Sequence, residues 1–548
     1  MAQFTKVLVE IPDDKGVHKK IAGAKGEKYI YKYVKYFRNK DGKPRNRAKT
    51  IGKFDPESGK MYPNSNYYEM FNVDPTLPDI SIWDYGYSYT ILKACRDIGM
   101  FACLSQVFGK HTMDILVMAA YIIREGNAMD GIDDWQQRNY FPKYDRLLTS
   151  QTTSKIFTQL TVEKQNDFFK LWVKKALSGG SVCYDVTSIS SYSQTMTAVE
   201  RGYNRDGDDL GQYNLGMFCS EDTKMPIYFN RYNGSLTDRT NLSYVIASAR
   251  AVGIERIKAV LDGGFWSKEC FKSLNAFCDT FTVGMPIFLK DSGNIISIYG
   301  RSIEQYANET RTKHVYCIPV PAELYDVSGR ILIYYDSWNH LSQCDELSSR
   351  IDRLKSELSA LKRYPKEKLS RYTPYFTIDK HEHDSGFDYQ VDTKKVEELR
   401  KNKGYFLIFS TDMVSSPSDI LYYYRAKDAD EKIFAQIKVD MEGARIRTHK
   451  EETTDGKTFT TFIACALRAY LLGRLTKYLT DNSTSMKKVF SQLSNITIIS
   501  GQEGFRFTKA LTKKQKQILA ALDSDIDIIT ELRELGGISL NLSNNPVI

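Results

Sequence analysis

Three acidic residues stand where they could act on a phosphodiester. Asp185 ends the apolar-flanked stretch Ser181-Val182-Cys183-Tyr184-Asp185. Asp262 ends a second, mostly apolar run, Ile257 to Leu261, and Gly263-Gly264 follows as a turn. Glu431 lies inside Tyr424 to Lys438, which reads as helix. Two carboxylates at strand ends and one on a helix can converge on a pair of divalent cations. Such a pair clamps the attacking and leaving oxygens of a phosphodiester, so metal-dependent cutting and joining of nucleic acid is the leading reaction class. Alone, each carboxylate says little, because an Asp at a strand end is usually a turn former or a helix cap. Two settings add weight. Asp262 closes a buried-looking strand, where α/β sheets place functional groups. Asp185 precedes Thr187, Ser188, Ser190 and Ser191, a small polar run suited to a backbone near phosphate.

The helix carries the most specific pattern. Tyr424, Lys427, Glu431 and Lys438 are spaced 3, 4 and 7 apart, so on a regular helix they line one face. Ile433, Ile437 and Met441 fall on another. A solvated salt-bridge face is the plain alternative. Lys427 precedes Glu431, however, and that order adds little to helix stability. A carboxylate for metal, with two cations and a phenol for phosphates, fits the stripe better.

A chain of 548 residues needs three or four domains or subdomains to position such groups. Apolar and charged fractions of 42% and 26% are those of soluble globular proteins. Met1 to Glu10 lacks the apolar run of a secretory signal, and Ile115 to Ile123 is far short of a membrane span. Nine scattered cysteines without a Cys-x-x-Cys point to reduced thiols in a cytosol and away from a zinc ribbon.

The net charge of +9 is uneven. Residues 1–60 hold 16 Lys and Arg against 7 Asp and Glu, and the rest of the chain balances at 60 of each. Lys28 to Phe37 reads as a strand of β-formers interleaved with lysines, Asn39 to Gly42 as a hairpin turn, and Arg45 to Ile51 as the returning strand. Such a hairpin, with Lys32, Lys35, Arg45 and Arg47, can hold phosphates along a DNA groove. Equally, the lysines can be the solvated edge of a small sheet, and sequence does not separate the two.

The expected organisation is α/β in six segments. A basic β-hairpin DNA-binding arm spans 1–75. A helical subdomain spans 76–178, more naturally a structural bundle than a helix-turn-helix. The first part of a ribonuclease-H-like core spans 179–285, with three antiparallel strands, then helix, strand, helix, strand. An insertion domain spans 286–418; its helix with Leu347, Ile351, Leu354, Leu358 and Leu361 folds onto that domain, since two heptads are too few for a free coiled coil. The second part of the core spans 419–500, where Phe462 to Leu472 should pack under the catalytic helix. A C-terminal tail spans 501–548.

Tyr424-x2-Lys427-x3-Glu431-x6-Lys438 resembles the Tyr-Arg-Glu-Lys signature of the insertion-sequence-four superfamily of DDE transposases. Asp185-Val-Thr-Ser and Leu261-Asp262-Gly-Gly-Phe265 resemble its first and second acidic motifs. Gly202-Tyr-Asn-Arg-Asp206-Gly, Gln212-Tyr-Asn-Leu-Gly216 and Tyr232-Asn-Gly234-Ser-Leu-Thr-Asp238 look like the segments after the first Asp. The resemblance covers roughly residues 28–525. Two positions depart from it. Lys427 stands where the signature often has Arg, which loses bidentate geometry, and Gly263 stands where some relatives have Arg.

The resemblance implies a bacterial insertion-sequence transposase in the cytoplasm, at the nucleoid. Asp185, Asp262 and Glu431 would hold two Mg²⁺ (or Mn²⁺) ions, and Tyr424, Lys427 and Lys438 would touch DNA. Hydrolysis at the element's end would free a 3′-OH, which then attacks target DNA or the opposite strand. The partners implied are double-stranded DNA, as terminal inverted repeats and target, and a second copy in a paired-end dimer, with no membrane. A metal-dependent nuclease of the same fold that does not join, and a domesticated DNA-binding protein without catalysis, are the competing readings. No Gly-x4-Gly-Lys-Ser/Thr loop is present, and the exchange of phosphodiester bonds needs no ATP. His381-Glu382-His383-Asp384 reads as a surface loop rather than a metal site.

Overall fold

The computed structural model describes the chain apart from residues 1–6, 22–26, 40, 74–80, 178–181, 203–208, 221, 255–256, 382–384, 427, 502–503, 525–526 and 537–548; at 81, 238–239, 301, 426, 428–431, 500, 501, 504, 535 and 536 it describes the backbone alone. Two compact units result: Met1–Trp83 with Ile496–Ala510 and Asp527–Ile548, and Asp84–Asn495 with Leu511–Ile526.

In the first unit β1 (Val17–Ile21), β2 (Lys28–Arg38), β3 (Pro44–Phe54) and β4 (Met61–Pro63) form an antiparallel sheet in that order. Ile30, Ile51 and Met61 are its buried centre, with Val17, Phe54, Tyr67 and Phe71 packed on them. The last two lie on α1 (Ser65–Phe71), whose first turn is capped by the Asn64 side chain accepting from the Asn66 and Tyr67 amides. That core covers only the base of the β2–β3 hairpin. Beyond it, residues 34–38 of β2 and 44–49 of β3 are exposed. A second sheet joins β5 (Ser81–Asp84), β16 (Thr497–Gly501) and β17 (Gly504–Phe507) in the order β17-β16-β5, and the helix Asp527–Gly536 packs on β17.

The second unit opens with helices α2 (Gly86–Asp97), α3 (Met100–Phe108), α4 (Thr112–Glu125), α5 (Ile132–Arg138), α6 (Ser150–Phe157) and α7 (Val162–Ala176). An eight-stranded mixed sheet follows. Its strands are β6 (Val182–Ser191), β7 (Gly211–Ser220), β8 (Pro226–Asn233), β9 (Lys258–Leu261), β10 (Thr280–Met285), β11 (Val315–Leu324), β12 (Val327–Asp336) and β15 (Tyr405–Ser410), in the order β11-β12-β15-β10-β9-β6-β7-β8. β6–β7 and β7–β8 pair antiparallel, whereas β6–β9 and β9–β10 pair in parallel. Parallel neighbours need crossovers. α8 (Asp238–Ala251) lies between β8 and β9, and α9 (Lys268–Phe277) between β9 and β10. The arrangement is mixed α/β and is compatible with the ribonuclease-H-like order expected for 179–285.

The segment 286–418 extends this same sheet, because β15 pairs with both β10 and β12. It also holds α10 (Lys290–Tyr299), α11 (Ser337–Ala360), α12 (Leu369–Tyr372), the β13 (Phe376–Lys380)–β14 (Phe387–Val391) hairpin and α13 (Thr393–Lys401). Leu354 and Leu358 of α11 pack on Tyr372 and Phe376, with Ile351 against them, so the leucine ladder is spent within its own segment. α14 (Pro417–Ala426) and α15 (Asp428–Ala435) come next, then a π-helical turn, Gln436–Asp440. α16 (Glu451–Asp481), α17 (Met486–Ser494) and α18 (Lys513–Ala521) complete the unit. α16 is buried on nearly all sides between Thr454 and Leu467, as a helix apolar all round must be. α2, α4, α6 and α7 pack on it, as does the π turn. The helices of 84–176 thus share a core with the C-terminal part of the chain.

Candidate active site

β6 and β9 pair in parallel as Val182↔Ala259 and Cys183↔Val260, a register offset of 77. Asp185 and Asp262 are also 77 apart. Carried two residues further, that register sets Asp185, the fourth residue of β6, level with Asp262, which follows the last residue of β9; neighbouring strands lie about 4.8 Å apart. Alternation puts Asp185 on the face of Cys183, and the extended Asp262 (φ −79°, ψ 175°) on the face of Val260, so both leave the sheet on one side. Asp185 is the one residue of β6 that is not buried. The Asp262 Oδ1 accepts from the Gly264 amide at 2.8 Å, which fixes the carboxylate as the chain turns away. The cap expected of a strand-end Asp is thus present.

Two helices pack on these strands. α14 packs on β9 and α15 on β6, so the backbone of Glu431, within α15, lies along the strand that carries Asp185. The side chain of Glu431 and the whole of Lys427 lie outside the described residues. Tyr424 is seated by a missing side chain: a Cβ on Gly284 of β10 would stand 2.2 Å from the Tyr424 Oη and 3.2 Å from the Gly263 amide nitrogen. The phenol therefore rests on the sheet beside the turn that follows Asp262.

Two expectations need correction. Tyr424 to Lys438 is not one regular helix. The described residues are helical on both sides of position 427, as α14 and α15, but Lys438 sits in the π turn. The wider i→i+5 turn rotates Lys438 away from the position that 3.6-residue spacing assigns; its side chain is half-buried. Nor does the run after Asp185 face a ligand as a loop. Thr187, Ser188, Ser190 and Ser191 are buried within β6, and the Ser190 amide donates to the Ala444 carbonyl at 3.0 Å. The hydroxyls belong to a strand interior, where small residues admit the chain that follows the π turn.

The other motif segments meet one another. Glu200 and Gln212 exchange backbone hydrogen bonds, and the Gly234 amide donates to Ala198. A Cβ on Gly234 would stand 2.0 Å from the Gln212 carbonyl oxygen, and one on Gly202 2.0 Å from that of Gly234. Close backbone crossing explains both glycines. Residues 203–208 lie outside the described residues, as do Glu382, His383 and Asp384; His381 lies 3.2 Å from Asp388.

In the first unit the exposed ribbon presents its cations in facing rows. Lys32 stands opposite Lys49, Lys35 opposite Arg47 and Phe37 opposite Arg45. Like charges directly across a strand pair destabilise it. Lys32 is half-buried and held by Asp14 at 2.5 Å, whereas Lys35, Arg45 and Arg47 are exposed. Tyr36 and Phe37, 70% and 46% exposed, lie among them.

Sequence reasoning passed over Lys457, 2% exposed on α16, whose Nζ donates to the Ile446 carbonyl at 2.8 Å. Burial, aided by Arg447, pulls its pKa down to about 7. It also passed over Gly284, which gives no signal until the seat of Tyr424 is known.

No family model matches this chain, and no curated protein matches it. Among solved structures it is similar to "Cryo-EM structure of piggyBac transposase synaptic complex with hairpin DNA (SNHP)", at a TM-score of 0.33 and 11% identity over 79% of this chain and 75% of that one. A likeness at that score carries no argument about activity. No helix among the described residues is long and apolar enough to cross a membrane.

Proposed function

We propose that this chain is a DNA transposase of the DDE type, with a ribonuclease-H-like core, that cleaves element ends and joins the freed 3′-OH to target DNA. The observation that supports the reading is the register: Asp185 within β6 falls level with Asp262 at the end of the neighbouring parallel strand β9, with the helix bearing Glu431 packed on β6. The six segments read from the sequence are the proposed domains, and the insertion-sequence-four superfamily is the proposed family.

The donor set suits a hard cation. Aspartate and glutamate oxygens, with no thiolate or imidazole among the three residues, select Mg²⁺ or Mn²⁺. Asp185, Asp262 and Glu431 would hold the metal, which when bound supplies Lewis-acid polarisation of the phosphodiester and a nucleophilic oxygen at neutral pH. The protein's own part is positional. The Gly264 amide fixes the Asp262 carboxylate, and the β6–β9 register sets the spacing of the pair. The phenol of Tyr424 and the ammonium groups of Lys427 and Lys438 would orient phosphate oxygens. Lys32, Lys35, Arg45 and Arg47 would hold duplex DNA along the ribbon, and two copies would pair two ends.

The test is substitution of each carboxylate by its amide. Asp185→Asn, Asp262→Asn and Glu431→Gln should each abolish Mg²⁺-dependent cleavage of DNA carrying the terminal repeats while leaving DNA affinity within about twofold, since binding rests chiefly on phosphate contacts elsewhere. Wild-type protein given a pre-cut 3′-OH end should join it to target; cleavage without joining would make it a nuclease. Full cleavage by any of the three variants would remove that residue from the site.

A further inference from the structure

A second cationic site lies in the larger unit, at the turn between β7 and β8. Lys224 on that turn, Arg425 at the end of α14 and Lys432 on α15 line one cavity of about 340 Å³, with Thr223, Gln436 and Thr476. No carboxylate lines it among the described residues. Arg425 reaches Asp336 at 3.0 Å, so that guanidinium is partly neutralised. Among the described residues Lys224 has no such partner: its Nζ is closed off from solvent and donates to none of them, and the face of Tyr422 lies 5.4 Å away. The turn holds Lys224 at φ +56°, a region where a long side chain is strained.

A shielded ammonium without an acceptor is costly, and two further cations converging on the same space raise that cost. An anion in the cavity reverses both terms once the Lys224 side chain turns its Nζ toward it. The donors suit a tetrahedral oxyanion: two ammonium groups, a guanidinium, a side-chain amide and the Thr223 hydroxyl. None of the three cations belongs to the Tyr424-Lys427-Glu431-Lys438 stripe.

We infer that this cavity binds a phosphate group, either from the backbone of a nucleic acid held beside α15 or from a free phosphate compound. The first source rests on the proposed function; the second does not. Bound there, a phosphate ties the β7–β8 turn to α14 and α15, the helices packed on β9 and β6.

The test uses the full-length protein and the variants Lys224→Gln, Lys432→Gln and their double, checked for unchanged melting. Duplex DNA binding is measured in EDTA across 50–200 mM NaCl, and inorganic pyrophosphate binding by calorimetry. For a backbone phosphate, the double variant should lower the slope of log Kobs against log salt by about 0.9, which shrinks the affinity loss across that range about threefold; Lys224→Arg should restore most of it. For a free phosphate compound, pyrophosphate should bind the parent and not the double variant, with the DNA slope unchanged. A parent that ignores pyrophosphate, together with an unchanged DNA slope, overturns the inference. Failure of the parent to bind DNA at all would strike the proposed function instead, and the pyrophosphate arm would still decide this site.

Discussion

Gly284→Ala is the most informative single change at the candidate active site. The added methyl would stand 2.2 Å from the Tyr424 Oη and 3.2 Å from its Cζ. Cβ contacts below 3.0 Å essentially never occur, so the ring must retreat by about 1 Å, and in a close-packed interior that movement is passed on. α14 carries the ring, and one residue later α15 carries Glu431. A misplacement of that size costs on the order of 100-fold in rate. Cleavage by Gly284→Ala should therefore fall about 100-fold, with DNA affinity unchanged and a stability loss of about 1–3 kcal/mol from overpacking. Tyr424→Phe removes the colliding atom. In the Tyr424→Phe background, Gly284→Ala should cost only a few-fold, read as initial rates of Mg²⁺-dependent nicking with melting curves as the folding control. An equal loss in both backgrounds, or full activity of Gly284→Ala alone, refutes the seating of Tyr424 as the device that places α14 and α15.

Lys457 makes stability depend on pH. Its folded pKa, about 7, lies below the unfolded value near 10.5, so between those values the unfolded chain binds the extra proton and stability rises with pH, by at most about 1.4 kcal/mol per unit; below pH 7 the full penalty of the buried charge remains. Lys457→Met should remove that rise, and chemical denaturation at pH 7 and 9 should show a smaller difference in the variant than in the parent; equal differences would contradict the assignment. Lys35→Ala and Arg47→Ala should each lower the salt slope of DNA binding by about 0.9 without changing cleavage once DNA is saturating, and unchanged slopes would return the ribbon to a solvated sheet edge. Gly234→Ala faces backbone oxygens of Gln212 and Glu200 at 2.0 and 2.7 Å, which cannot rotate aside, so it should destabilise the larger unit by about 3 kcal/mol or more; a melting temperature within a degree of the parent's would rule out the close crossing.

How much could be read before the structure depends on the range of the interaction. Apolar runs bounded by turn residues located β6 to β10 within a residue or two, except that β6 continues through the serines, because a strand buried on both faces tolerates small hydroxyls that sequence alone reads as loop. The helical stripe failed at its end for a comparable reason. A 3.6-residue period presumes an unbroken helix, and the π turn at Gln436–Asp440 leaves no mark in composition. The extension of the sheet by β15, β12 and β11 was also invisible, since strand pairing across more than a hundred residues has no local signature.

One long-range quantity was present in the numbering without being interpretable there. The interval of 77 between Asp185 and Asp262 is a count of residues until β6 and β9 are known to pair in parallel; then it equals the register offset, and an insertion in a connection between β6 and β9 leaves the juxtaposition intact so long as the same residues stay paired. The interval of 169 between Asp262 and Glu431 has no such meaning, because a helix meets the sheet by packing and not by register. The backbone at Asp185 is therefore held by strand pairing, and α14 by side-chain contacts such as that of Tyr424 with Gly284. The site should tolerate change in the β13–β14 hairpin far better than change at Leu332, Tyr334 and Ile408, which share a core with Ile420 and Leu421 of α14.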